Sequence, residues 1–182
     1  MPEILNIVDD DDKIIGERTR DEIHEKGLFH REIHVYFITP KKEIIFQHRA
    51  KDKDTFPDLL DATVGGHVEI GDNYEETAIK ETREETGVKI KLSDLLLISK
   101  KKEYSQDKIT GDANNTFRTY YLYIYRGDIN DLKIEEGKAL GFEIWTIDKL
   151  LNIDNNDKVG FIPYVLEFSV TKLRDFINNL NL

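Results

Sequence analysis

The sequence predicts an α+β fold, an α/β/α sandwich in which a mixed, largely antiparallel sheet lies between helices. Three observations carry this expectation. Strand-length runs with apolar alternation occur at 31–38, 43–49 and 116–126. A helical stretch lies between Gly71 and Gly87, and a second, amphipathic one spans about 162–180. The 182 residues fit one domain, 1–182, with an N-terminal hairpin arm over about 1–30. A net charge of -10 with 34% charged residues favours solubility and argues against a nucleic-acid polymer or an anionic membrane as partner. Cysteine is absent, which excludes disulfides, thiolate zinc sites and thiol nucleophiles. No apolar run has membrane-spanning length and the N-terminus lacks a signal-peptide pattern, so the expected location is the cytoplasm.

Residues 4–8 and 13–17 read as a β-hairpin closed by four consecutive aspartates, whose spacing lacks the alternating ligands of a calcium loop. One or two helical turns follow over 20–27, stopped by Gly27. In 31–38, Ile33, Val35 and Phe37 alternate with His34 and Tyr36; residues 43–49 return as the hairpin partner. His24, His30, His34 and His48 form no helical zinc pair, and packing roles are expected for them. Arg49 and Lys51 end a strand and are candidates to meet a diphosphate. A short apolar strand at 59–64 then delivers the chain to a loop at Gly65 and Gly66.

The helix that follows is capped by Asp72 or Asn73, each with a glutamate three residues on, and is closed by Gly87. Glu81, Glu84 and Glu85 stand at i, i+3 and i+4, so three carboxylates share one face and repel one another unless a cation lies between them. A hard divalent ion, Mg2+ or Mn2+, meets that need, and such ions are held by carboxylates together with substrate phosphates. The chemistry implied is that of a phosphate ester or anhydride.

Val88, Ile90 and Leu92 begin an alternation that reads as a strand within 88–97, with another at 98–104 and a polar tip at 106–115. In 116–126, Phe117, Thr119, Tyr121, Tyr123 and Tyr125 share one face, and Arg118, Tyr120, Leu122 and Ile124 the other. Arg118 and Tyr120 are candidate substrate contacts, with packing as the competing role. A strand at 142–146 holds Trp145, and a short helix covers 148–151. In the tail helix, Val165, Leu166, Phe168, Val170, Leu173, Phe176, Ile177 and Leu180 recur near helical spacing, for packing on the domain or against a second subunit in a homodimer.

The stretch from Gly66 to Val88 resembles the signature of the Nudix hydrolases. Gly66, Glu81, Glu84, Glu85 and Gly87 match it; Asp72 stands where the family has Glu, Lys80 where it has Arg, and Thr82 where it has an aliphatic residue. The resemblance implies the Nudix fold and a divalent-metal-dependent hydrolase that cleaves a diphosphate linkage in a small molecule by attack of water on phosphorus. It implies Glu81, Glu84, Glu85 and the Gly66 carbonyl as metal ligands, catalytic roles for Glu84 and Glu85, and an Asp72–Lys80 pair bracing the loop. Glu136 stands where many relatives place a further carboxylate that completes the metal site or acts as base, with Glu143 as the other register.

Over about residues 7–88 the chain is similar to a branch of that superfamily containing the isopentenyl diphosphate isomerases. His67 resembles their metal-binding histidine and is also a candidate phosphate contact, whereas Gly65 stands where they carry the catalytic cysteine. Hydrolysis is therefore the expected reaction. The alternatives are an isomerase-like enzyme and a catalytically silent nucleotide-binding module.

Overall fold

The computed structural model describes residues 2–53, 55–106, 111 and 113–181. An N-terminal two-stranded ribbon, β1 (Ile4–Val8) and β2 (Ile14–Thr19), leads into helix α1 (Arg20–Lys26). Thr19 caps this helix, and Gly27 closes it in the left-handed region at φ 61°. The main sheet has seven strands: β3 (His30–Ile38), β4 (Ile44–Arg49), β5 (Leu60–Asp61), β6 (Val64–His67), β7 (Leu96–Gln106), β8 (Ala113–Ile124) and β9 (Ala139–Trp145). Helix α2 (Tyr74–Thr86) separates β6 from β7. The tail holds α3 (Ile147–Leu151), α4 (Asn155–Lys158), α5 (Pro163–Phe168), a π-helical turn (Ser169–Leu173) and α6 (Arg174–Asn178).

Strand β3 is the centre of the sheet. It runs parallel to β8 along its whole length and antiparallel to β6 at Glu32–Val35 and to β4 at Phe37–Ile38. The sheet is therefore mixed, and β3 is buried on both faces, with Val35 to Ile38 an unbroken apolar run. On one face Tyr36, Ile38, Phe46, Tyr120 and Leu122 pack with Phe168, Leu173 and Ile177 of the tail. On the other, Ile33, Val35, Phe37, Ile45 and Tyr121 pack with Ala78 of α2. The alternation in β8 thus sorts its side chains into two cores, one against each helical layer. The apolar face of the tail is buried within this chain. Among the described residues no helix is long and apolar enough to cross a membrane.

Three expectations are corrected. The glycine pair does not open a loop: Gly65 and Gly66 are ladder residues of β6, opposite His34 and Ile33. No strand forms at 88–91; Leu92–Asp94 is a 3-10 turn, with the Lys91 amide donating to Asp94, and one strand, β7, replaces the two expected. The tail helix is interrupted by a π turn, where Ser169 Oγ donates back to the Val165 carbonyl at 2.7 Å and competes with the helical ladder. Part of the expected polar tip, 107–110 and 112, lies outside the described residues.

Candidate active site

The site is built where α2 crosses β6. Asn73 begins the helix with a capping box: its side chain accepts from the Glu76 amide at 2.9 Å, and its own amide donates to Glu76 at 3.0 Å. From this fixed start, one turn carries Glu81 and Glu85 inward, 7% and 4% exposed, and leaves Glu84 exposed. A Cβ on Gly66 would lie 2.7 Å from Glu81 Cγ, so only glycine lets the helix carboxylate rest on the strand backbone.

Glu85 uses its two oxygens differently. Oε2 accepts from Gln47 Nε2 at 3.1 Å and from the Gly65 amide at 3.3 Å. Oε1 faces the Lys138 ammonium at 3.8 Å. Burial pushes the Glu85 carboxyl up to about 8, and burial likewise raises Glu81. Lys138 Nζ also lies 3.9 Å from Glu81 Oε2 and 3.0 Å from Glu135 Oε2, so one cation is shared among three carboxylates.

Glu81, Glu84 and Glu85 line a cleft of about 490 Å³ together with Gly66, His67, Arg49, Lys53, Phe56 and Tyr164. The glutamates offer only oxygen donors, they face an ammonium, and Glu81 rests directly on the Gly66 backbone; a hard divalent ion fits these residues. The glutamates are looser than a second donor group, His24, His30 and His67, whose ligand atoms lie within 4.8 Å of one another. Glu32 Oε1 stands 3.2 Å from His67 Nε2 and 3.7 Å from His30 Nε2. Imidazole donors with one carboxylate suit a borderline ion such as zinc. Burial lowers His24 to about 4. At His67 burial works against the charge, but Glu3 and Glu32 outweigh it and raise the imidazole to about 9.

The structure brings Gly66, His67, Glu81, Glu84, Glu85 and Arg49 to the cleft. Arg49 is already engaged, donating to Asp61 at 3.0 Å and to the carbonyls of Thr55 and Phe56, so it holds the 55–61 segment in place. The remaining candidates stand elsewhere. Lys51 is exposed, 3.9 Å from Asp58. Arg118 is 1% exposed and ion-paired to Glu32 at 2.6 Å and Glu103 at 2.8 Å, while Tyr120 donates to Glu103 and stacks on Phe168 at 3.9 Å; both are committed to the interior. Lys80 pairs with Glu69, two residues past the end of β6, at 2.6 Å rather than with Asp72. Glu136 is exposed, and its neighbour Glu135 holds Lys138 instead.

Sequence reasoning named His67 but missed that His24 and His30 join it, and it missed Gln47, Glu32, Lys138 and the part of Glu135 beside Glu136. Gln47 and Glu32 sit at strand positions that alternation marks only as polar. The histidines are joined by the N-terminal arm, tied down by the bridge between Leu5 and Glu69 and by Glu3, which lies 3.3 Å from His67 Nδ1. Glu135 and Lys138 flank Gly137 at φ 77°, a charged turn that was the available signal.

A model of the NUDIX domain matches residues 28–165. A Nudix hydrolase of Clostridium acetobutylicum is 30% identical over 157 residues, covering 85% of this chain and 75% of that one. Other curated relatives are spanned less fully, from 22% to 57% of their length in three of them. Among solved structures, DR0079 from Deinococcus radiodurans superposes with a TM-score of 0.66 at 23% identity, covering 82% of this chain and 87% of that one. The NUDIX domain of Shewanella oneidensis NrtR, complexed with ADP ribose, superposes with a TM-score of 0.60 at 13% identity over 88% of this chain and 99% of that one. Likeness at that identity speaks for the fold; with the matched family model and the Clostridium relative, it places the glutamate helix in its lineage, and the chain belongs to the Nudix hydrolase family.

Proposed function

We propose that this chain is a divalent-metal-dependent pyrophosphohydrolase that cleaves the diphosphate linkage of a small organic molecule, such as a nucleoside diphosphate joined to another group, by attack of water on phosphorus. The observation that carries this reading is the packing of Glu81 and Glu85 against the glycine strand, with Glu84 beside them in the same cleft. The NrtR domain complexed with ADP ribose and the solved Ap4A hydrolase of C. elegans support a diphosphate-containing ligand.

Glu81, Glu84, Glu85 and the Gly66 carbonyl would hold Mg2+ or Mn2+. When bound, such an ion neutralises diphosphate charge and lowers the pKa of a coordinated water. The chain's own residues do the rest. Gln47 and the Gly65 amide fix the orientation of Glu85, leaving one of its oxygens toward the cleft. Glu84 or Glu85 accepts the proton of the attacking water, and Lys53 adds positive charge to the cleft wall for the substrate phosphates. Glu85→Gln keeps the shape and removes the charge; a folded variant with unchanged release from a panel of diphosphates in Mg2+ would overturn the assignment.

The histidine group is the observation that favours a second reading, an isopentenyl diphosphate isomerase-like enzyme. Isomerisation needs an acid and a base at two carbons, and Gly65 has no side chain to supply either. Proton NMR of isopentenyl diphosphate with enzyme and Mg2+ separates the readings: no dimethylallyl isomer is expected.

A further inference from the structure

Lys138 is set up as a cation with two positions. Its main chain is fixed: the Ala50 amide donates to its carbonyl at 3.0 Å, and its own amide donates to the Glu135 carbonyl at 3.1 Å across the turn at Gly137. Its head is free to move, since the side chain is 37% exposed and ends a flexible stem. The ammonium rests closest to Glu135, at 3.0 Å, and within 3.9 Å of one oxygen each of Glu81 and Glu85. Among the described residues no other cation lies within 4.0 Å of those two carboxylates.

At Glu85, the oxygen that faces Lys138 is the one the rest of the protein leaves open. Glu85 Oε2 is taken by Gln47 and Gly65, and Oε1 is the one turned to the ammonium. An ion ligated by Glu85 would therefore draw on the oxygen that Lys138 attracts, at a ligand distance of about 2 Å for magnesium. With the ammonium 3.8 Å from the same oxygen, the two cations would stand at most about 6 Å apart, where like charges repel in a buried setting. Resting on the reading of Glu81 and Glu85 as metal ligands, we propose that Lys138 competes with the divalent ion for these oxygens: its ammonium offsets the repulsion between the two carboxylates, and yields them when the ion enters by swinging wholly to Glu135. Metal affinity in this chain is thus set partly by a residue that is not a ligand.

The test is calorimetric titration of the full chain with Mn2+. Lys138→Met keeps the stem and removes the charge, and is expected to bind Mn2+ about fivefold or more tightly than the parent, since the competing charge is gone. Lys138→Arg keeps a charge and is expected to bind within about twofold of the parent, which separates competition from packing. Circular dichroism of each variant reports folding independently. Equal or weaker binding by a folded Lys138→Met protein would overturn the proposal. Glu85→Gln, titrated in parallel, tests the reading underneath: if it binds as the parent does, the ion is held elsewhere and the inference falls with that reading; if it binds more weakly while Lys138→Met is unchanged, the glutamate site stands and the competition alone is wrong.

Discussion

Gly66 and Glu81 are pressed together: a Cβ on the glycine would meet Glu81 Cγ at 2.7 Å and Cδ at 2.8 Å. Gly66 has no left-handed backbone to lose, so the effect of Gly66→Ala is the contact alone. The added methyl pushes the Glu81 carboxylate off the strand, and a displacement of about 1 Å in a reacting site costs on the order of 100-fold in rate. Diphosphate release is expected to fall by that order while the thermal melt by circular dichroism stays cooperative. Full activity would show that Glu81 need not rest there.

Glu85 makes stability depend on pH. Burial raises its carboxyl from 4.5 to about 8, so the native state binds more protons than the unfolded one between those values, and stability falls as pH rises through that window. Glu85→Gln, with a chelator present, is expected to be more stable than the parent at pH 8.5 by on the order of 1–3 kcal/mol, and to differ little at pH 5. Urea unfolding at the two pH values measures the gap. A gap that does not change with pH refutes the cause.

Two adjacent glutamates are expected to behave differently. Glu135 holds Lys138 beside the carboxylates, and Glu136 is exposed. Glu135→Gln frees the Lys138 ammonium to settle on Glu81 and Glu85, and should lower kcat/KM for a diphosphate substrate by about tenfold or more. Glu136→Gln should leave it within about twofold. The reverse ranking would restore Glu136 as the working carboxylate.

Arg118 is expected to act on stability and not on substrate. It is 1% exposed, with Glu32 and Glu103 as partners and the Tyr164 ring 4.6 Å from its guanidinium carbon. Arg118→Met leaves two carboxylates short of their cation and should cost about 3–5 kcal/mol in urea unfolding. KM measured on the folded protein should move by less than about twofold. A large rise in KM without loss of stability would return Arg118 to the substrate.

Sequence alone determined the features that depend on neighbours along the chain. A capping box at Asp72 or Asn73, of which the structure uses Asn73, the Gly87 stop and the i, i+3, i+4 glutamates are local relations, and periodicity sorted Tyr120 and Tyr121 onto opposite faces of one strand. Tertiary structure decided everything that depends on who stands opposite. Gly65 and Gly66 are strand residues because β3 offers them a ladder that no local signal foretells. Lys80 chose Glu69 over Asp72, and Glu135 stands at the carboxylates in place of Glu136, because the pairing of long charged side chains follows the direction in which the backbone delivers them. His24, His30 and His67 come together from the arm and two strands, since burial and chain reversal, not spacing, set the distance between them. The helix could be read from its residues; what that helix faces could only be decided by the fold.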